Sequence, residues 1–290
     1  MTIRAIIDIL TQWAPLCYAE DFDNVGLLTG SANQPCKGVL ITLDTLEPVV
    51  DEAIASGCNL IVSFHPILFK GLKKITGDDY VQRTILKAIK HDIAIFAIHT
   101  ALDNHQNGVN AAIAERLQLQ STKILVPKKG TIKKLVTYVP KENEKKVLEA
   151  LYEAGSGALG NYDQCSFVTE GFGSFRGNEK SNPSLGQQME KTIVEEKQIQ
   201  VIFLAHQEKQ ILNSLRSAHP YETVANEIIS TDNENPDIGM GKVGTLKKPM
   251  SGQEFLSFVK KQMQTPMIRY SRLNSKPIQK VAVLGGSGSF

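Results

Sequence analysis

Continuous apolar runs alternate with amphipathic stretches along the first part of the chain. Strands are predicted at Gly38–Leu43, Leu60–Phe64 and Ile93–Ile98, and helices at Ile3–Trp13, Glu47–Ser56, Asp79–Lys90 and Val109–Leu117. Apolar strands without alternation, separated by helices, are typical of a parallel sheet that is covered on both faces. The pattern therefore predicts an α/β fold.

The pattern changes after a basic, turn-forming segment at Pro127–Gly130. Beyond it the strands alternate more strictly, which favours an antiparallel sheet with one solvated face. Strands are predicted at Lys134–Val139, Cys165–Thr169, Gly171–Phe175, Ile199–Leu204 and Thr223–Ile229, and helices at Glu142–Tyr152 and Glu208–Ser217. This β-α-β-(β)-β-α-β order predicts an inserted ferredoxin-like α+β domain.

A polar segment at Thr231–Asp237 predicts a linker, after which strand, helix and strand character returns. We therefore predict a layered α/β lobe built from an N-terminal part (1–128) and a C-terminal return (239–290), with the insert at 129–238 between them. A glycine loop, Gly285–Gly288, follows the last predicted strand, where a further helix would normally begin. The C-terminal return is therefore expected to be incomplete.

Composition narrows the classes of partner. The chain is 42% hydrophobic and 21% charged, and 32 basic residues nearly balance 30 acidic ones. This balance gives no electrostatic argument for nucleic acid or an anionic membrane as the main partner. Four scattered cysteines form no Cys-x-x-Cys pair, which favours a reducing compartment, so the protein is expected in the cytoplasm.

Two histidines end consecutive predicted strands. His65 follows Leu60–Phe64, and His99 follows Ile93–Ile98, with Asp103 four positions later. Ligands of open parallel sheets bind outside the carboxyl ends of the strands. If the two strands are neighbours, the imidazoles and the carboxylate meet, and they offer the ligand types that zinc, iron(II) and manganese use. A hydrogen-bonded core role for each histidine is the alternative.

Several motifs resemble those of the Nif-three-like family, whose members carry the label GTP cyclohydrolase I type 2 homologue. They are SFHPILF, AIHTALDN followed by Gly108-Val109-Asn110, and the early Asp21–Leu28 segment DFDNVGLL. The insert is similar to that of the longer bacterial members, in NYDQCSF, GFGSF and HPYE, and resembles CutA and PII-like domains. The resemblance covers essentially the whole chain.

This resemblance implies a pair of divalent ions (Zn, Fe or Mn) and a toroidal homo-hexamer. By position, His65 matches a metal-ligating histidine and Asp103 the bridging carboxylate. His99 matches a histidine at the rim of the site, implied either as a further ligand or as a group that hydrogen-bonds to one. Phe64 stands where the family has another histidine, and the family's C-terminal His and Glu ligands have no counterpart before Phe290. Weak or partial metal binding is expected.

Two classes of function follow. The first is a metal-dependent hydrolase of a nucleotide-like small molecule, in which His99 is a candidate general acid. The second is a non-catalytic metal-binding regulatory or assembly protein whose insert senses a ligand. The substrate remains unspecified.

Other polar groups have competing interpretations. Asp23 and Asn24 are candidates for the same crevice, but turn formation by Asx residues is favoured. His219, with Tyr221 and Glu222, is a metal candidate, but a structural role that caps the preceding helix is favoured. The glycines at 155–160 and 285–288 lack the Lys-Ser/Thr signature of a phosphate loop.

Overall fold

The computed structural model describes residues 1–286. Contacts divide the chain into two compact units, Met1–Pro127 together with the chain from Pro236 onward, and Lys128–Asn235. Residues 287–290, which include the end of the predicted glycine loop, lie outside the described residues.

The N-terminal segment alternates helices and strands. In chain order these are α1 (Ile3–Trp13), β1 (Gly26–Thr29), β2 (Val39–Thr42), α2 (Glu47–Ala55), β3 (Leu60–Ser63), α3 (Tyr80–Lys90), β4 (Ala94–Ala97), α4 (His99–Asp103), α5 (Val109–Arg116) and β5 (Gln120–Lys128). Helix α1 has the predicted bounds, and the Thr2 hydroxyl caps it by accepting the Ala5 N–H.

The middle segment forms β6 (Ile132–Pro140), α6 (Glu144–Glu153), β7 (Ser166–Arg176), β8 (Lys191–Leu204), α7 (Glu208–Ala218) and β9 (Asn226–Ser230). The C-terminal segment forms β10 (Asn235–Met250), α8 (Gly252–Gln262) and β11 (Ile278–Val283). Short 3-10 turns occur at Leu16–Tyr18, Lys141–Asn143 and Ala205–Gln207.

The sheet that carries the predicted site has the strand order β1-β4-β3-β2. Strands β2, β3 and β4 run parallel, whereas β1 pairs with β4 in the antiparallel direction. Every residue of β3 and β4 is buried, because alternate side chains enter two different cores. Leu60 and Val62 pack with α1, and Ile61 packs with α2 and α3. The expected sheet covered on both faces is present, but its edge strand is antiparallel.

A second sheet of the same unit has the order β11-β10-β5. Its core joins Ala114 and Leu117 at the end of α5 to Leu246, Val281 and Val283 of the C-terminal segment. The predicted linker is shorter than expected, since β10 already begins at Asn235. The N- and C-terminal segments thus share one hydrophobic core.

The unit Lys128–Asn235 has one antiparallel sheet, β7-β8-β6-β9, with α6 and α7 packed on one face. Leu135, Val139 and Ile199 point into this core. The prediction of two strands at 165–169 and 171–175 is wrong, because β7 runs without interruption from Ser166 to Arg176 against β8. Glu170, where the gap was predicted, pairs with Lys197 within this ladder.

Candidate metal centre

The predicted site lies where three neighbouring strands end. Beyond β3, the His65 N–H donates to the Leu43 carbonyl, 2.9 Å away, and so continues the pairing with the end of β2. The His99 N–H donates to the Phe64 carbonyl, also at 2.9 Å, and ties the end of β4 to the end of β3. These bonds bring the two imidazole rings together, with their centroids 5.4 Å apart and their planes at 79°. The predicted proximity of His65 and His99 is present.

A carboxylate holds each imidazole at Nδ1. His65 Nδ1 lies 2.7 Å from Asp44 Oδ1, and His99 Nδ1 lies 2.8 Å from Asp23 Oδ1. An ionised carboxylate only accepts hydrogen bonds, so each ring donates from Nδ1 and, when neutral, keeps the Nε2 lone pair available. A carboxylate or carbonyl behind a histidine is the usual arrangement of a metal-binding imidazole.

The two carboxylates differ in burial. The Asp23 side chain is 0% exposed and also accepts the N–H and the hydroxyl of Thr100, whereas the Asp44 side chain is 54% exposed. Burial opposes the ionisation of Asp23, but the hydrogen bonds from His99 and Thr100 outweigh it and lower its pKa. Asp23 is therefore a fixed negative charge behind His99.

The backbone conformation of His99 also supports a functional role for this residue. This residue opens α4 with a φ of 25°, in the left-handed region that L-residues other than glycine seldom adopt. Such conformations cost about 1–3 kcal/mol and persist where the surrounding structure imposes them, often at functional sites. Here the bonds to Phe64 and Asp23 hold the residue.

Asp103 ends α4, one helical turn after His99, and therefore lies on the same side of that helix. Its Oδ1 atom is buried and has no hydrogen-bond partner among residues 1–286. Burial raises the pKa of Asp103; the charge of Asp23 raises it further, and the charges of His99 and His65 act in the opposite direction. The carboxyl group thus lies within electrostatic range of both histidines.

The C-terminal segment passes over this carboxylate. Asn110 donates from Nδ2 to the Asp103 carbonyl at 3.0 Å and accepts the Gly285 N–H at Oδ1, 2.8 Å away. A side chain at residue 285 would begin 3.6 Å from Asp103 Oδ1 and 3.1 Å from a methyl group of Val109. The contact with Val109 is tight, so a larger residue here would require that side chain to shift slightly.

An unpartnered buried oxygen beside two imidazoles fits a divalent cation in its donor chemistry, since N and O ligands suit zinc, iron(II) and manganese. The set is not complete as it stands. In the described part of the chain, no three His, Cys, Asp or Glu side chains are arranged as a finished coordination group. Phe64 instead packs against both rings, with centroids 5.1 Å from His65 and 5.5 Å from His99.

Sequence reasoning missed Asp44 and undervalued Asp23. Asp44 follows β2, so the rule that pointed to His65 and His99, applied to that strand end, would have found it. Asp23 precedes β1, and Gly26 of β1 pairs with Ala97 of β4. Because β1 runs antiparallel to β4, the start of β1 lies beside the end of β4, and Asp23 therefore reaches His99. The interpretation that Asp23 only forms a turn is wrong.

The metal alternative for His219 is not supported. Both of its ring nitrogens are engaged, Nε2 with the Tyr138 carbonyl at 2.8 Å and Nδ1 with the Tyr221 N–H at 3.1 Å. The favoured role of capping α7 is confirmed for the backbone, because the His219 N–H donates to the Leu215 carbonyl at 2.9 Å, while the side chain bonds to β6. His219 is a structural link within the sheet unit.

Fold and site together define an α/β protein with carboxylate-held histidines at the carboxyl ends of parallel strands. The sequence model of the family described as Duf34/NIF3 (NGG1p interacting factor 3) matches residues 1–290. The chain belongs to the Duf34/NIF3 family, and the predicted resemblance is confirmed.

Relatives agree over nearly the whole chain. A Bacillus subtilis protein named "GTP cyclohydrolase 1 type 2 homolog" is 41% identical over 287 residues, which are 99% of this chain and 77% of that protein. A Staphylococcus epidermidis protein of the same name is 33% identical over 288 residues, or 99% and 78% of the two chains. The crystal structure of a Bacillus cereus protein related to NIF3 has a TM-score of 0.82 at 38% identity, covering 99% of this chain and 77% of that one.

Proposed function

We propose that this chain binds a divalent cation (Zn, Fe or Mn) through His65 and Asp103, with His99 as a third ligand or as a neighbouring acid–base group, and that it hydrolyses a nucleotide-like small molecule. The observation that carries the proposal is the buried Asp103 oxygen that lacks a partner beside two imidazoles whose Nδ1 atoms are already engaged. The name of the relatives, GTP cyclohydrolase 1 type 2 homolog, supports the substrate class.

A divalent cation bound here would supply a water molecule of lowered pKa, about 7 in the case of zinc. The chain's own residues do the positioning. Asp44 and Asp23 keep the Nδ1 protons in place, so that the Nε2 lone pairs of the neutral rings stay available. If His99 is not a ligand, its Nε2 is the position from which a proton would reach a leaving group. Phe64 and Phe69, beside the His99 ring, limit the access of bulk water.

Metal content tests the first part of this proposal. The metal-depleted chain is reconstituted with Zn, Fe or Mn, desalted and subjected to elemental analysis. Substoichiometric metal is expected in the wild type and almost none in His65→Ala or Asp103→Ala. The exposed His91, next to the end of α3, provides the control His91→Ala, which should retain the wild-type content. Equal metal in all four proteins would refute the site.

A panel of nucleotides and related small molecules tests the second part. Turnover by the reconstituted chain should exceed that of the metal-free chain and vanish in Asp103→Ala. Absence of turnover, with metal bound, would favour the second candidate function, a non-catalytic metal-binding regulatory or assembly protein with a ligand-sensing insert. The observation that favours this alternative is a cavity in the unit Lys128–Asn235.

Self-association, as a homo-hexamer, belongs to both candidate functions. The ferredoxin-like unit supports it, because Phe167, Phe172 and Ile193 on the long β7-β8 hairpin are exposed apolar side chains, which often mark contact surfaces. Light scattering behind size exclusion should give about six times the mass of one chain. A monomer at micromolar concentration would exclude the hexamer.

A further inference from the structure

A cavity of about 700 Å³ lies within the unit Lys128–Asn235. Its floor is the face of the sheet that α6 and α7 leave open, because Tyr138, Gln198 and Glu196 alternate with the core residues of β6 and β8. Its walls come from the end of β7, from residues 177–184 and from residues 221–225. This volume is within the range of about 300–1,000 Å³ that small-molecule sites occupy.

Two glycines of β7 make room for this cavity. Gly171 pairs with Glu196 on β8, and a side chain at Gly171 would meet no atom within 4 Å. At Gly173 a Cβ atom would lie 1.9 Å from Glu196 Oε2. The carboxylate of Glu196 therefore lies directly against the strand backbone, in a position that only glycine at residue 173 permits.

A pair of aromatic residues, Tyr221 and Phe175, lies next to this carboxylate. The Tyr221 hydroxyl donates to Glu196 Oε1 at 2.7 Å, and the rings of Tyr221 and Phe175 have centroids 6.2 Å apart. Among residues 1–286 the Glu196 carboxylate receives no other hydrogen bond. Acceptor capacity thus remains beside aromatic faces, which attract cations within about 6 Å.

The neighbouring cations do not neutralise Glu196. Lys197 pairs with Glu170 and Glu144 instead. His219 is neutral, because burial lowers its pKa and both of its nitrogens are engaged.

Other charges also line the cavity. Arg176 donates from Nε to the Met189 carbonyl, and Glu222 accepts the Asn182 N–H. With Glu170 paired to Lys197, two carboxylates, Glu196 and Glu222, face one guanidinium. The lining therefore has an excess of one negative charge.

We propose that this cavity binds a small organic molecule with a primary ammonium group on an apolar or aromatic body. The ammonium group donates to Glu196, and the body packs on Phe175 and Tyr221. The proposal extends the second candidate function, since it names the ligand class of the insert, and it does not depend on the metal centre.

Calorimetric titration of the metal-depleted full chain with phenethylamine tests the proposal. Binding should be measurable in the wild type, and Glu196→Gln, which keeps the shape and the acceptor for Tyr221, should weaken it about tenfold or more. Glu195→Gln is the matched control, because Glu195 is the exposed neighbour on β8 that does not line the cavity. Its affinity should equal that of the wild type. No binding by the wild type, or equal loss in both variants, would overturn the proposal.

A steric variant and a second probe separate this site from a contact between copies of the chain. Gly171→Leu projects into open space, so it should abolish phenethylamine binding with unchanged thermal stability. Phenylacetate, the matched anion, should not bind. If the amine fails to bind and Gly171→Leu alters the mass measured by light scattering, the cavity is an association surface and the proposal is wrong. Metal content, measured in the same samples, reports on the metal proposal separately.

Discussion

Histidines follow secondary-structure elements in both units of the chain, and their surroundings differ. His65 and His99 each have one ring nitrogen held by a carboxylate, with side chains 43% and 18% exposed. His219 in the other unit is buried, and both its nitrogens bond to backbone groups. Position at the end of an element does not separate the candidate ligands from the structural histidine, whereas the number of engaged ring nitrogens does.

The largest effect on stability is expected from His219→Ala. The change removes two hydrogen bonds, leaves the Tyr138 carbonyl without its donor and opens a cavity, so it should cost about 2–4 kcal/mol of unfolding free energy. Urea unfolding with the exposed His91→Ala as control, expected within about 0.5 kcal/mol of the wild type, measures it. Metal content should not change; if it fell, His219 would not be a purely structural histidine.

Asp23→Asn should affect both stability and metal. The Asp23 carboxylate accepts four hydrogen bonds, one from His99, two from Thr100 and one from the Asn24 N–H. An amide cannot accept all four with a full charge, and the Nδ1 proton of His99 loses its fixed acceptor. We expect a loss of about 1.5–3 kcal/mol and a 10–100-fold weaker metal affinity. Chemical unfolding and metal titration measure the two effects. An unchanged affinity would show that His99 does not act on the metal.

Asp103→Asn should separate stability from function. The pKa of Asp103 in the folded chain lies above its ordinary value of 3.8, so the destabilisation caused by its ionisation begins as the pH rises above 3.8 and is complete above the raised pKa. The metal-free variant should therefore be about 1 kcal/mol more stable than the wild type at neutral pH. This gain should shrink as the pH falls towards 3.8, and metal binding should be lost. Thermal melts from pH 4 to 7 would contradict this if the difference did not depend on pH.

Asp44→Asn should have the smallest effect. Asp44 is largely exposed, so its bond to His65 is screened and should contribute less than about 1 kcal/mol. Metal affinity should fall less than in Asp23→Asn. Added salt should lower the unfolding free energy of the wild type until it approaches that of the variant. If Asp44→Asn matched Asp23→Asn in either measurement, burial would not be what distinguishes the two pairs.

The local signals predicted much of the fold. The Thr2 cap with the Ile3 and Ile7 stripe defined α1, and the buried runs defined β3 and β4. Strand β1 was missed, because Gly26–Thr29 is a short edge strand whose pairing with β4 is set by tertiary contact. The interruption predicted at residue 170 is absent for a related reason: Glu170 pairs with Lys197 in the ladder to β8, and this pairing is also set by tertiary contact.

Part of the candidate site was predictable for a physical reason. Two of the residues, His65 and His99, follow apolar strands, and Asp103 lies one helical turn beyond His99. The topology of a parallel sheet therefore brings them together. Asp44 also follows a parallel strand, so the same rule applied to the end of β2 would have found it. Asp23 arrives through the antiparallel strand β1, and sequence spacing does not encode such a partner, because it depends on which strands become neighbours.

The Asn110 side chain joins residues that the ribosome adds far apart in time, since it bonds to the Asp103 carbonyl and to the Gly285 N–H. The whole intervening unit emerges before that second bond can form, and it can fold while the first lobe waits for its remaining strands. A nascent chain arrested before residue 285 would thus present Asp103 without the Gly285 backbone beside it, and the candidate site would be completed only after the intervening unit has been synthesised.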